Sequence, residues 1–210
     1  MKRTMTVTGT GSASATPDTV TLTLGVETRR ETAERAYSDA GAAATAVAAA
    51  LRSEGVLEAD LRTSGLNLRA DSVWAEGQGQ KVTGYVATAA LHVGLRSPSS
   101  APAVIASAVA AGGDAIRING LEQSFADASG LIASAQEAAW SDALAKAQRY
   151  ARLAGAELGG VISVSEQAPA GTPVPVGGLV RAYAAEALPV EAGTSSVSAS
   201  VRVEWELVAG

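Results

Sequence analysis

In the run Thr19-Val-Thr-Leu-Thr-Leu-Gly-Val-Glu-Thr28, every second residue from Val20 to Val26 is aliphatic. A period of two predicts a β-strand with one buried face. A second alternating run, Met5–Ser14, precedes it, and Pro17-Asp18 between the two runs is turn chemistry. The chain therefore begins with two strands joined by a turn.

Gly9-Thr10-Gly11 in the first run is similar to part of a phosphate-binding loop. A dinucleotide fingerprint needs a third Gly or Ala at position 14, where Ser14 stands, and a helix after the turn. A strand follows instead, so we reject a nucleotide site. We interpret the two glycines as a bulge or as a close approach by another backbone.

The remaining elements follow from the spacing of apolar residues, because intervals of three and four predict helices and a period of two predicts strands. The predicted order is a helix over 31–53, a hairpin of 61–74 and 81–95, a helix from Ser97-Pro98 to about Ala111, a strand over 115–125, a long helix capped by Asp127 or Ser129 and ending at Ala154, and strands over 161–166 and 197–207. From Val20 onward the first six elements have the split βαβ order of ferredoxin-like folds. We therefore predict an α+β fold: an antiparallel or mixed sheet of βαββαβ order with helices on one face, extended by an N-terminal strand, a long third helix and C-terminal strands.

The chain length suits a single domain over residues 1–210. We expect the core of this domain to span about 4–167 and 196–208. The segment of about 168–195 has no periodicity and mixes Gly, Ala and Val with four prolines: Pro169, Pro173, Pro175 and Pro189. Such a segment is either mobile or held extended against a partner.

Composition excludes several classes of function. The net charge is −5 and the 16 Lys and Arg form no run longer than two residues, so we expect no nucleic-acid partner. The chain has no cysteine, which excludes a disulfide, a thiol nucleophile and a thiolate metal site. No apolar run reaches membrane-spanning length, so we expect no membrane insertion.

The first residues bear on the location of the protein. Met1-Lys-Arg-Thr4 has the charge of an export signal, but a polar alternating strand follows it where such a signal has an apolar segment. We therefore expect a cytoplasmic protein from the chain as given. A periplasmic or exported location is the alternative if a signal had been removed.

Candidate catalytic residues are few. His92 is the only histidine, and its place within a predicted strand favours a partly exposed strand residue over a member of a catalytic triad. Two sets of carboxylates are close in sequence, Asp71 with Glu76 and Glu204 with Glu206. We interpret the second set as the charged, solvated face of an edge strand rather than a glycosidase-like pair. The sequence therefore predicts a protein that is not an enzyme, with no catalytic, cofactor-binding or metal-binding residues and no cofactor.

The three tryptophans fall in different predicted elements, a hairpin, a helix and the last strand: Trp74, Trp140 and Trp205. Trp205 shares the apolar face of its strand with Val203 and Leu207, so we predict that it lies in the core. Trp74 stands beside the Gly-rich turn of the hairpin, a position that suits an interface anchor. We therefore name Trp74 as the candidate interface residue, and expect the hairpin and the Pro-rich segment to protrude and meet neighbouring subunits.

Nearly the whole chain resembles the SIMPL-domain family, which includes bacterial periplasmic immunogenic proteins and proteins named as oxidative-stress defence factors. The resemblance depends on the order and spacing of short motifs: Val7-Thr-Gly-Thr-Gly11, Pro17-Asp18, Leu24-Gly-Val-Glu27, Gly55-Val56, Asp60-Leu-Arg-Thr63, Gly84-Tyr85, Ala111-Gly112, Asn119-Gly120, Ala145-Lys-Ala147, Leu158-Gly159, Pro189-Val-Glu191 and Val197-Ser-Ala-Ser-Val201. The resemblance implies a protein with no established catalytic activity or agreed ligand. It also implies an envelope or stress-related role, and at least one related protein assembles into a large ring-like oligomer.

The function expected from these observations is that of a non-enzymatic scaffold or interaction protein that forms a homo-oligomer. The terminal alternating strands could pair across subunits, which supports this expectation. The alternative is a small-molecule-binding protein that uses a cleft between the sheet and the Pro-rich arm.

Overall fold

A computed structural model describes residues 3–75, 79–167, 174–176 and 190–209, and it confirms the α+β class. Three helices and eight strands have the following bounds: β1 (Arg3–Ala15), β2 (Thr19–Arg30), α1 (Ala33–Ser53), β3 (Leu61–Ala75), β4 (Gly79–Leu95), α2 (Ala101–Gly112), β5 (Ile116–Ser124), α3 (Ser129–Leu153), β6 (Ala156–Gln167), β7 (Val174–Val176) and β8 (Thr194–Ala209). They group into two compact units. The central unit comprises Asp18–Ser124 and Arg181–Ala192, and the terminal unit comprises Met1–Pro17, Phe125–Val180 and Gly193–Gly210.

The central unit is an antiparallel sheet of order β3-β4-β2-β5 with α1 and α2 packed on one face. The alternating aliphatic residues of β2 lie in this core: Val20, Leu22, Leu24 and Val26 are at most 1% exposed. Alternate residues of β4 from Ala87 to Leu95 lie on the same face and meet Val47 and Leu51 of α1. The helix begins where the side chain of Thr32 accepts a hydrogen bond from the Arg35 N–H, which satisfies one free donor of the first turn.

The terminal unit is a second antiparallel sheet of order β1-β8-β6, with β7 also paired to β8, and α3 packs on its face. The sequence prediction placed these strands as extensions of the first sheet. The structure differs because β1 pairs with β8 along its whole length, from Arg3 with Leu207 to Ala15 with Ser195. The apolar face that this pair presents packs against α3.

The α3 helix lies unusually close to β1. Its fully buried residues are all alanines: Ala135, Ala139, Ala143, Ala147 and Ala151. They face Gly9 and Gly11 of β1, where a methyl group would overlap the carbonyl oxygens of Ala139 and Ala135 respectively. The interpretation of these glycines as a close approach by another backbone is confirmed.

Most of the segment 168–195 lies outside the described residues, and so does the cleft between the sheet and this arm that the alternative function requires. Within the segment, β7 pairs with the start of β8, Val174 with Ser196 and Val176 with Thr194. Val190 packs against the core of the central unit. Among the helices of the described ranges, none combines the length and the apolar character needed to cross a membrane.

Candidate functional site: the β3–β4 ribbon

The β3–β4 hairpin extends beyond the sheet of the central unit. The pairing of β2 with β4 ends at Arg30 with Tyr85, whereas β3 and β4 continue to pair as far as Ala75 with Gly79. Among the described residues, the stretches 71–75 and 79–84 therefore pair only with each other. We call these two stretches the ribbon.

The ribbon exposes large apolar side chains. Trp74 is 81% exposed, and Val73 and Val82 are each about half exposed. Trp74 lies opposite Gln80 and Val82 lies opposite Ser72, so Trp74 and Val82 are diagonal neighbours on one face. An isolated two-stranded hairpin is marginally stable in water, so an apolar ribbon face gains stability from a partner that covers it.

The base of the ribbon is held by polar contacts. Arg29 of β2 forms an ion pair with Asp71, with 2.5 Å between Nη2 and Oδ2. The Thr83 hydroxyl donates to the Asp71 carbonyl oxygen at 3.2 Å, and Gln80 Nε2 donates to Ser72 Oγ at 2.6 Å. These contacts orient the ribbon, and the apolar side chains near its tip are left largely uncovered by the residues that the structure describes.

The outer edge of β3 adds to this surface. In the described part of the chain, β4 is the only strand that pairs with β3. Leu66 and Leu68 lie opposite Ala89 and Ala87, on the face that carries the helices, yet they are 60% and 44% exposed. A long edge strand with exposed apolar residues is a site where another chain can add.

The edge of β1 differs from the edge of β3, because side chains of α3 form hydrogen bonds with backbone groups of β1. The Thr10 N–H donates to Asp142 Oδ2 at 2.8 Å, and Lys146 Nζ donates to the Thr8 carbonyl oxygen at 3.3 Å. Lys146 also pairs with Asp142 at 2.6 Å, one helical turn away. The Lys146 ammonium and the Thr10 N–H both stabilise the carboxylate and lower the pKa of Asp142.

The other residues considered for catalysis lie apart from the ribbon tip or have structural partners. His92 is a partly buried residue in the middle of β4, as predicted, with Nδ1 3.4 Å from Thr23 Oγ1. Asp71 pairs with Arg29, and Glu76 lies outside the described residues. Among the described residues there is no group of three or more His, Asp or Glu that could hold a metal ion.

The interpretation of Glu204 and Glu206 needs one correction. They lie on the polar face of β8, opposite Thr6 and Thr4, and Glu204 accepts a hydrogen bond from Ser163 at 3.3 Å. However, β8 is the central strand of its sheet and not an edge strand. The prediction failed because alternation shows which face is solvated but not which strands lie on either side.

Tryptophan placement is partly as predicted. Trp205 is 2% exposed and lies in the core of the terminal unit, which confirms the prediction. Trp140 of α3 packs against it with the ring centroids 6.2 Å apart, a contact that sequence spacing did not indicate. The contribution of Val82 to the ribbon face was also missed, although the register of the predicted hairpin could have placed it beside Trp74.

Comparisons with known proteins identify a family and two relatives. The chain matches the SIMPL family model, described as "Protein of unknown function (DUF541)", over residues 5–205. It is 30% identical over 190 residues to the 26 kDa periplasmic immunogenic protein of Brucella melitensis biotype 1, which covers 84% of this chain and 74% of the relative. The protein of the same name from Brucella abortus matches with the same identity and coverage.

The prediction of a cytoplasmic location is wrong. Both relatives are named as periplasmic proteins, which points to an exported protein. The prediction depended on the few residues that follow Met1, and the absence of cysteine is compatible with either compartment, so composition could not correct it.

The family match extends from β1 to β8 and so includes strands of both units. The chain therefore belongs to the SIMPL family of proteins of unknown function.

Proposed function

We propose that this protein is a non-enzymatic interaction protein of the bacterial envelope that assembles with copies of itself through the ribbon and the adjoining edge of β3. The observation that carries the proposal is the 81% exposure of Trp74 on a ribbon that projects beyond its sheet. Tryptophan is the residue type most enriched among the side chains that dominate binding energy at interfaces. The names of the relatives support an envelope location, and the stress-related role implied by the family resemblance stays a prediction.

The difference between the two edges supports the choice of surface. Asp142 and Lys146 hold backbone groups of β1 at Thr10 and Thr8, so this part of the β1 edge is less available to a new strand. The edge of β3 carries exposed leucines and continues into the ribbon. A contact there would bury the Trp74 indole and could add main-chain hydrogen bonds along the same strand.

The non-enzymatic part of the proposal is supported by the partners of two acidic side chains and of the histidine. Asp71 and Glu27 pair with arginines, at 2.5 Å from Arg29 and 3.4 Å from Arg117. His92 lies beside a threonine hydroxyl on a strand. These side chains have structural partners, and their arrangement does not join a nucleophile to a base.

The test compares the solution mass of the wild type with that of Trp74→Ala, measured by size-exclusion chromatography with light scattering. Leu153→Ala is the matched control, because Leu153 is 77% exposed but lies at the end of α3 in the terminal unit. We expect Trp74→Ala to lower the mass at micromolar concentration and Leu153→Ala to leave it unchanged. An unchanged mass for Trp74→Ala, or an equal loss for both variants, would overturn the choice of surface.

A further inference from the structure

The terminal unit contains a cavity of about 290 Å³ between α3 and the β6–β8 side of the sheet. Its walls are Gln136, Ala139 and Trp140 from α3 and Val164 and Glu166 from β6, and residues 199–201 of β8 form its floor. Its volume is close to the lower end of the range for small-molecule sites, about 300 to 1,000 Å³.

The cavity exists because α3 covers β1 and β8 more completely than β6. Val164 pairs with Val203, so both side chains lie on the face that α3 covers. Val203 is fully buried, whereas Val164 is 55% exposed. Val164 therefore faces the helix side of the sheet and is still half exposed. Its exposure indicates a groove beside α3 that no described side chain fills.

One wall of the groove is a supported aromatic ring. Trp140 is 38% exposed and packs against the buried Trp205, with the ring planes tilted by 49°. Packing against Trp205 restrains the Trp140 ring, while its exposed part remains available to a ligand. A fixed indole is the best protein partner for an organic cation, since the face of the ring is electron-rich.

The charge of the groove has one sign. Among the described residues that line it, Glu166 is the only charged one. Gln136 Nε2 donates to Glu166 Oε1 at 2.6 Å, which holds the carboxylate at the rim. Gln136 and Trp140 are four residues apart on α3, so they are neighbours on one helix face, with Cβ atoms about 6 Å apart. The carboxylate that Gln136 holds and the indole therefore line the same groove.

We propose that this groove binds a small organic cation, an alkylated or quaternary ammonium group whose methyl groups contact Trp140 and whose charge is balanced by Glu166. The negative groove disfavours an anion. A single carboxylate supplies too few oxygen ligands for a calcium or magnesium ion. An aromatic wall with one negative charge instead suits an organic cation. This site is separate in sequence and in unit from the ribbon, so it does not depend on the proposed assembly.

The test uses choline as the probe and, as the neutral control, its carbon isostere in which a tert-butyl group replaces the trimethylammonium group. Saturation-transfer NMR and titration calorimetry on the full chain measure binding. We expect saturable binding of choline, at least about fivefold tighter than binding of the neutral isostere because the charge contributes. Added salt should weaken choline binding, since the rim carboxylate is exposed to solvent.

Two variants and two controls connect binding to the named residues. Glu166→Gln keeps the shape of the side chain and removes its charge, and Trp140→Leu removes the ring; each should weaken choline binding at least about threefold. Tyr37→Leu, an exposed aromatic residue of α1 in the central unit, and Leu153→Ala should bind choline as the wild type does. The proposal is overturned by the absence of saturable choline binding to the folded wild type, by equal affinity for the neutral isostere, or by unchanged binding to Glu166→Gln. Because Trp74→Ala reports on assembly through the solution mass and Glu166→Gln reports on the groove through choline binding, failure of one proposal is distinguishable from failure of the other.

Discussion

The close approach of α3 to β1 makes Gly9→Ala the most informative change in the terminal unit. The added methyl group would meet the Ala139 carbonyl oxygen, the Ala143 amide nitrogen and, at 2.6 Å, the Ala143 Cβ. Ordinary contact begins near 3.4 Å, so the Ala143 Cβ alone would require α3 to move away from β1 by about 0.8 Å, and the two backbone atoms, which are closer, would require more. A gap of that size removes a substantial share of the dispersion energy of each contact that it opens.

The expected loss of stability follows from these contacts. Overpacking a close-packed site costs about 1–3 kcal/mol, and we expect the upper end because two of the three contacts are with backbone atoms that no rotamer change can move. A Gly→Ala change also lowers the conformational entropy of the unfolded chain, which stabilises the folded protein by about 0.4–1 kcal/mol. The net destabilisation should be about 2 kcal/mol, or a fall in Tm of about 4–8 °C for a chain of this size.

The assay should report on the terminal unit alone. Trp140 and Trp205 both lie in this unit and Trp74 in the central unit, so a Trp74→Phe background makes tryptophan fluorescence specific for terminal unfolding. Gly160→Ala is the matched control, because Gly160 is a strand glycine of the same unit and an added Cβ there has nothing within 4 Å. Equal Tm values for Gly9→Ala and the control would refute the close-approach reasoning.

Two further predictions concern the same unit. Asp142→Asn should reduce stability most near neutral pH. The Lys146 ammonium and the Thr10 N–H lower the pKa of Asp142 in the folded protein, so the contribution of this carboxylate is present above the unfolded pKa and is lost as the pH falls through the folded pKa. Urea unfolding at neutral pH and near pH 3 checks the sign, and a difference between variant and wild type that grows on acidification would contradict it. Deletion of Thr194–Gly210 removes the central strand of the terminal sheet, and with it Val203 and Trp205, which pack against α3. Limited proteolysis should then cleave within α3, while a fragment containing 18–124 persists. A protected α3 in the deleted chain would show that β8 is not needed to hold it.

Much of the central unit could be predicted from local pattern. The alternation from Val20 to Val26 reports a buried face directly, and the structure buries all four aliphatic residues. The order of strands and helices along the chain follows from the same periodicities and from capping and turn residues. Trp74 was placed beside a hairpin turn, where the structure exposes it, because a Gly-rich turn is a local signal.

The separation into two sheets could not be predicted, since alternation shows that one face of a strand is buried but not which element covers it. Gly9 and Gly11 mark a close approach, but only the fold identifies the partner as the alanine face of α3. The start of β6 was missed by five residues: the strand begins at Ala156, and Gly159 and Gly160 lie at a register shift that interrupts the alternation. The groove beside Trp140 depends on how far α3 extends across the sheet. The residue pattern within a single helix or strand does not predict that extent.

Sedimentation equilibrium of the wild-type chain over a range of micromolar concentrations measures whether the protein self-associates. The proposed assembly predicts a mass that is a multiple of the 20.9 kDa chain mass and that falls towards one chain on dilution or in Trp74→Ala. A mass of 20.9 kDa at every concentration would contradict it.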